Sequence, residues 1–446
     1  MQTEKFIIKG GKRLVGEISV GGAKNVALKA IVAACLTEEE VVIKNIPLIS
    51  DFMIMADIVK ELGGEVRIKD HDAYVKIEKF KTSKISLEKA AEIRTSSMLI
   101  VPLLLRTGKA IIPNPGGCRI GARPIDRIIE GLKKMKVQIV YESKDGYFHA
   151  KVSDEGLRGT NYRFVKPTHT GTETLIMAAS LAKGRTILEN AALEPEIDEL
   201  INFLNSMGAE IKRDGGKRIV IDGVEKLNGA VFEVGTDRNQ IITIAIAAII
   251  TGGDVFIRNI SKNGLVEFLE KLKDVGGGYE IKANGIRFYA KKNLIASDIV
   301  TSPYPGFMTD WQGPWTVLMT QAKGNSTVHE AVYENRFTYV EELRKMGADI
   351  ELFNPEVKDP QNFYNFNLSD DKKEYKHAAM IKGPNQLHNG VITMTDLRAG
   401  ATLVLAALAA KGGESVIFGI NHLDRGYENF EKSLAKLGAN IVRVKE

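Results

Sequence analysis

Residues 186–213 read TILENAALEPEIDELINFLNSMGAEIKR, and the fold of the whole chain turns on how this segment divides. It opens as a strand and a short turn. It then runs through an amphipathic helix, in which Leu, Ile, Met or Phe recur at helical spacing, and glycine leads into a second strand. The same division fits residues 41–68 (VVIKNIPLISDFMIMADIVKELGGEVRI), 254–281, 326–352 and 415–444. Residues 110–140 supply a sixth copy, with Lys136-Val137 in place of the usual Gly-Ala or Gly-Gly. Gly63, Gly208, Gly276, Gly347 and Gly438 close the helices at positions suited to left-handed backbone geometry. They give a period of about 70 residues. The last interval is longer because NPEVKDPQNFYNFNLSDDKKEYK, after Phe353, reads as an inserted surface loop.

Six strand-helix-strand units predict an α/β chain of two similar lobes, three units in each. The linkers fall near residues 234–237 and near Gly21-Gly22, so the lobes are 22–235, and 1–21 together with 236–446. Ligands are then expected between them. A length of 446 residues fits two or three domains. Hydrophobic content of 44% and charged content of 26% are those of a soluble globular protein. The net charge of +5 is mild and shows no basic stripe, which argues against general nucleic-acid binding. No apolar run approaches the roughly 20 residues that span a bilayer, and the N-terminal MQTEKFIIKGGKRLVGEISV lacks the apolar core of a signal peptide. Two cysteines make no disulfide framework, so a reducing cytoplasm is expected. There is no P-loop or dinucleotide fingerprint, and no His/Cys/Asp cluster has metal-ligand spacing. The expectation is neither metal nor cofactor.

The cysteines differ. Cys35 lies in the helical apolar run VALKAIVAACL and reads as core. Cys118 lies in NPGGCRIGARP, among glycines and beside Arg119 and Arg123, which favour its thiolate.

The motifs GGAKNVALKAIVAACL, EIRTSS, PGGCRIGARPID, ENAALEPEI, PGFMTDWQ, ENRF, TDLRAGATLVLAAL and HLDRGYE follow one another in an order and spacing that resemble the enolpyruvyl transferase family. Within it they look like the members acting on UDP-N-acetylglucosamine. The related enolpyruvyl-shikimate-phosphate synthases share the fold and are expected to lack the cysteine loop. The resemblance covers essentially the whole chain. It implies a two-lobed inside-out α/β barrel built from the six units. It also implies transfer of enolpyruvyl from phosphoenolpyruvate to the 3-hydroxyl of UDP-N-acetylglucosamine with release of phosphate, the first committed step of peptidoglycan synthesis.

Carried over residue by residue, the resemblance places Lys24 on phosphoenolpyruvate. It makes Arg123, Arg398 and Arg425 a clamp for phosphate and carboxylate, which guanidinium groups grip bidentately. Cys118 matches the reactive cysteine, either proton donor to C3 or covalent and product-release group, and the target of the epoxide phosphonate fosfomycin. Asp310 is the expected base for the sugar hydroxyl; read alone it is a helix cap. Asp396 either orients the clamp or caps the following helix. Asn25 and Arg94 match positions near the sugar and diphosphate. Arg123, Pro124, Ile125, Asp126 and Arg127 match the wall around uracil. Thr168, His169, Thr170 and Gly171 match the diphosphate-facing turn. There Pro167 and His169 depart from the family pattern, and His169 either reaches phosphate or caps a helix. Val332 matches a backbone contact. The other readings are the same chemistry on a different acceptor, or a non-catalytic sugar-nucleotide sensor.

Overall fold

The opening segment forms the strand Arg185–Glu189, the helix Pro195–Ser206 and the strand Glu210–Arg213. Pro195 stands at the helix start, where its missing N–H costs nothing, and Glu196 and Asp198 complement the helix dipole in the first turn. Gly208, at φ 99°, turns the chain out of the helix. Lys136 holds the equivalent place in its copy at φ 69°, so the register of the repeat survives the loss of glycine there.

The computed structural model describes residues 4–116, 120–122, 124–291 and 293–445. It adds to each repeat up to three elements that the strand-helix-strand pattern lacks. A further strand, Ile219–Asp222, lies between the first two and antiparallel to both, and Asn161–Arg163 pairs in parallel at the far edge. The strands that flank the outer helix are therefore parallel to each other but are not neighbours. Five four-stranded sheets among the described residues follow this order. A sixth has three strands, Lys109–Pro113, Tyr147–Lys151 and Gln138–Glu142, and its parallel edge is reduced to one bridge between Lys84 and Ile111.

The remaining added element is a buried helix. One set comprises Lys24–Ala34, Ile100–Thr107 and His169–Ser180; the other comprises Arg238–Ile250, Gln312–Thr320 and Leu397–Ala409. In Leu397–Ala409 every residue from Leu397 to Leu408 is buried. A helix apolar all round must be enclosed, and these are enclosed by the sheets, with amphipathic helices such as Pro195–Ser206 outside. The arrangement is an α/β barrel turned inside out.

The chain separates into two compact units, each with its own hydrophobic core. One contains Gly21–Gly117 and Pro124–Gly235; the other contains Met1–Val20, Cys118–Arg123 and Thr236–Glu446. The sequence reading put the Cys118 loop in the 22–235 lobe. Cys118 itself lies outside the described residues; of the segment that follows it, residues 120–122 group with the other unit: the Ile120 carbonyl accepts from the Asn335 N–H at 3.2 Å. Gly121 sits so close to Glu334 that a Cβ there would collide with the carboxylate. In the unit of both chain ends, the strand Glu4–Lys9 lies between Glu414–Phe418 and Asn440–Lys445, and Val15–Ser19 pairs with Asp254–Arg258.

The stretch after Phe353 is not a free surface loop. It carries a short helix, Pro360–Phe363, and buries Tyr364 and Phe366 against Ala331. No helix among the described residues is long and apolar enough to cross a membrane.

Candidate functional site

Several of the polar residues singled out in the sequence lie at or just ahead of the N-termini of the buried helices. Those ends carry unpaired N–H groups and partial positive charge, a setting for anions.

In the unit of residues 21–235, Lys24 and Asn25 begin the helix Lys24–Ala34. Gly22 precedes them where the backbone passes so near the Asn45 carbonyl that a side chain would collide. The Lys24 ammonium lies 2.6 Å from Asp51, and both side chains are largely buried. Asp51 escaped the sequence reading, being one of many acidic residues in helix first turns. Arg94, half-buried, opens the turn Arg94–Leu99. Thr168 caps the helix His169–Ser180, its hydroxyl accepting from the Gly171 N–H at 3.3 Å. His169 is therefore not the cap; it begins the helix, with Thr170 beside it. Ile125 is buried ahead of the helix Asp126–Lys134, while Pro124 and Asp126 are exposed. The Arg127 guanidinium donates to the Pro167 carbonyl at 3.4 Å, which joins the expected uracil wall to the expected diphosphate turn.

In the other unit, Asp310 lies in the turn Thr309–Trp311 ahead of Gln312–Thr320, where Trp311 holds the cap position. Its carboxylate instead accepts from Arg336 Nη2 at 2.9 Å and from Arg398 Nη2 at 3.0 Å. Both arginines are buried, whereas the Asp310 side chain is 25% exposed. Asp396 is the cap of Leu397–Ala409, accepting from the Arg398 and Ala399 amides, and so fixes the backbone from which Arg398 reaches Asp310. Arg398 also donates to the Tyr427 hydroxyl at 3.2 Å, two residues beyond the half-buried Arg425. Trp311 Nε1 donates to Asn239 at 2.9 Å, so the starts of all three buried helices of this unit meet here.

Arg336 was quoted within ENRF but given no role. Its hydrogen-bond partners, Thr309 and Asp310, lie 27 and 26 residues away, so only the fold shows that it holds the carboxylate. Glu330 was missed as well. Its buried carboxylate accepts from the Thr309 hydroxyl at 2.9 Å and from the Val332 and Tyr333 amides at 2.8 and 3.0 Å. Burial pushes its carboxyl above the ordinary range, against the pull of Arg336. Since Glu330 takes the Val332 amide, a main-chain contact from Val332 to a ligand falls to its carbonyl. Cys118 and Arg123 lie outside the described residues. Among the described residues no group of three His, Cys, Asp or Glu side chains could hold a metal ion.

A family model for EPSP synthase (3-phosphoshikimate 1-carboxyvinyltransferase) matches residues 8–434. The chain belongs to that family. Within the EPSP synthase family it is similar to curated proteins named UDP-N-acetylglucosamine 1-carboxyvinyltransferase. The Bartonella henselae protein is 41% identical, with 98% of each chain covered. That of Koribacter versatilis is 39% identical over 99% of this chain and 97% of its own. That of Coxiella burnetii is 40% identical over 99% and 96%. Among solved structures, the enolpyruvyl transferase NikO from Streptomyces tendae superposes with a TM-score of 0.85 at 20% identity, and EPSP synthase from Acinetobacter baumannii with 0.72 at 18%. Both comparisons cover the full length of each chain and show the shared fold.

Proposed function

We propose that this chain transfers the enolpyruvyl group of phosphoenolpyruvate to the 3-hydroxyl of UDP-N-acetylglucosamine, releasing phosphate. The supporting observation is the Asp310 carboxylate held between Arg336 and Arg398 at the start of the buried helices. A carboxylate that takes a hydroxyl proton stands beside guanidinium groups that take an anion. The full-length likeness to proteins carrying that name favours this acceptor over shikimate 3-phosphate.

The chemistry divides into two halves. The sugar oxygen bonds to C2 of phosphoenolpyruvate while its proton passes to Asp310 and another proton is added at C3, giving a tetrahedral intermediate. Loss of a C3 proton then restores the double bond as the C2–O bond to phosphate breaks. Lys24, Arg123, Arg398 and Arg425 neutralise the phosphate and carboxylate of phosphoenolpyruvate, and Cys118 supplies the proton to C3 or acts as the covalent group. An anion that engages Arg398 competes with Asp310 for that guanidinium. Binding of phosphoenolpyruvate thereby frees a carboxylate lone pair for the hydroxyl proton. Asn25, Arg94, Pro124, Ile125, Asp126, Arg127, Thr168, His169, Thr170, Gly171 and the Val332 carbonyl hold the sugar nucleotide. The reaction serves peptidoglycan synthesis in the cytoplasm.

The test is phosphate release from phosphoenolpyruvate by the pure protein. Release is expected with UDP-N-acetylglucosamine and not with shikimate 3-phosphate. The opposite pattern rejects the acceptor, and binding of the sugar nucleotide without turnover points to a sensor.

A further inference from the structure

Glu330 follows the strand Gly324–His329, and its side chain turns into the protein with no exposed surface. A carboxylate is costly to bury unless its lone pairs are met, and here four donors meet them. Oε1 accepts from the Val332 and Tyr333 amides at 2.8 and 3.0 Å. Oε2 accepts from the Thr309 hydroxyl at 2.9 Å and from Gln312 Nε2 at 3.4 Å. A proton on either oxygen would displace a donor, so the group serves as an acceptor only. Its own backbone is pinned. The Glu330 N–H donates to the His377 carbonyl at 2.7 Å, and the Ala331 N–H donates to the Thr301 hydroxyl at 2.9 Å.

The two oxygens serve different segments. Oε1 fixes the main chain at Val332, whose carbonyl the proposed function turns to the sugar nucleotide. Oε2 decides the direction of a hydrogen-bond chain, because a hydroxyl has only one hydrogen to give. Thr309 gives its hydrogen to Glu330, so its oxygen is left to accept, and Arg336 Nε donates to it at 3.2 Å. Arg336 Nη2 then donates to the Thr309 carbonyl at 3.2 Å and to Asp310 at 2.9 Å. A guanidinium is planar and rigid, so holding Nε also sets the direction in which Nη2 meets the carboxylate. Glu330, Thr309 and Arg336 are all buried, where hydrogen bonds are strong and a misdirected one is costly.

We propose that Glu330 is a positioning residue for the reaction. Through Thr309 and Arg336 it sets the Asp310 carboxylate, and through the Val332 and Tyr333 amides it sets the main chain that meets the sugar nucleotide. This rests on the function proposed above. The two tasks are separable, since each falls to one oxygen.

The experiment is steady-state phosphate release with UDP-N-acetylglucosamine by the native chain, Glu330→Gln, Thr309→Val, the double variant and Glu330→Ala. In Glu330→Gln the main-chain amides cannot turn round, whereas the Thr309 hydroxyl can. The new side chain therefore keeps its oxygen on the amides and points its NH2 at Thr309, where it competes with Arg336 for the hydroxyl oxygen. The kcat is expected to fall about 10- to 100-fold, the cost of a misplaced reacting group, with the KM for the sugar nucleotide little changed. Thr309→Val cuts the chain in the middle and leaves Oε1 untouched, so it should show the same split. The double variant should lose little more than the worse single one, because both interrupt one chain. Glu330→Ala should raise that KM as well, since the Val332 and Tyr333 amides lose their acceptor. Losses that multiply in the double variant overturn the proposal, as does a near-native kcat in Glu330→Gln. Should Glu330→Gln fail to fold, as circular dichroism would show, Thr309→Val carries the test, and a near-native kcat there overturns the proposal. Native turnover with UDP-N-acetylglucosamine alongside indifferent Glu330 and Thr309 variants rejects only this inference. Native turnover with shikimate 3-phosphate alone rejects only the acceptor, and the kcat losses of the same variants are then read with that substrate.

Discussion

Asp310 accepts from two guanidinium groups, and the proposed function makes it a base as well. Asp310→Asn keeps the size and one acceptor but cannot take a proton. Its kcat is expected to fall about 10²- to 10⁴-fold, with little change in the KM for the sugar nucleotide and a native circular-dichroism spectrum. Steady-state kinetics check this; near-normal kcat removes Asp310 as the base. The two cysteines offer a second contrast. Burial pushes the Cys35 thiol up to about 12, against the pull of Arg106, and its Sγ donates to the Ile31 carbonyl. Its thiolate is scarcely populated at neutral pH and it should resist electrophiles. Fosfomycin is therefore expected to leave one adduct, on Cys118, which Cys118→Ser abolishes; peptide mass spectrometry locates it. Modification of Cys35 instead would reduce NPGGCRIGARP to a turn.

At the scale of elements, the docked stretch after Phe353 ties to the strand Gly324–His329 and the residues that follow it. His329 Nε2 meets the Tyr364 hydroxyl at 3.1 Å, the Asn365 amide donates to the Ala331 carbonyl, and the Glu330 amide donates to the His377 carbonyl. Burial, and then the neighbouring His377, lower His329 to about 4. A histidine depressed on folding contributes stability that is whole above its unfolded value of about 6.5 and is lost as pH falls through about 4. Acidification across that window should open this stretch before the rest, seen as new protease cuts within 354–376, and His329→Gln should flatten the effect. Tyr364→Ala should cost up to about 3 kcal/mol in urea unfolding; no change would mean that the stretch is only draped on the surface. The outer helices and their closing glycines were legible because a 3.6-residue period and a positive φ both leave marks on sequence. The buried helices were not legible as part of the repeat, since Arg238–Ile250 is apolar all round and shows no face. Strand order was hidden too, because Ile219–Asp222 enters between partners named earlier in the chain. The site followed the same rule. Residues in distinctive motifs could be singled out as candidates, whereas Asp51, Glu330, and Arg336 as partner of Asp310, depend on contacts between distant segments.

For the whole molecule, the deciding feature is the Glu4–Lys9 strand inside a sheet whose other strands all come from beyond residue 390. A fragment of residues 236–446 lacks that strand and Val15–Ser19, and it should fold only when a peptide of residues 1–20 is supplied. Residues 21–235 are expected to fold unaided. Amide exchange on both fragments, with and without the peptide, checks this; a 236–446 fragment that is protected alone would make the strand dispensable. The same feature sets a timetable for synthesis. At about 5–20 residues per second, the first strand leaves the ribosome on the order of tens of seconds before its partners exist. The 21–235 unit can be complete while its other half is still being made. Through that interval an unpaired β-strand waits in the nascent chain, open to chaperones and to the same strand on a neighbouring polysome chain.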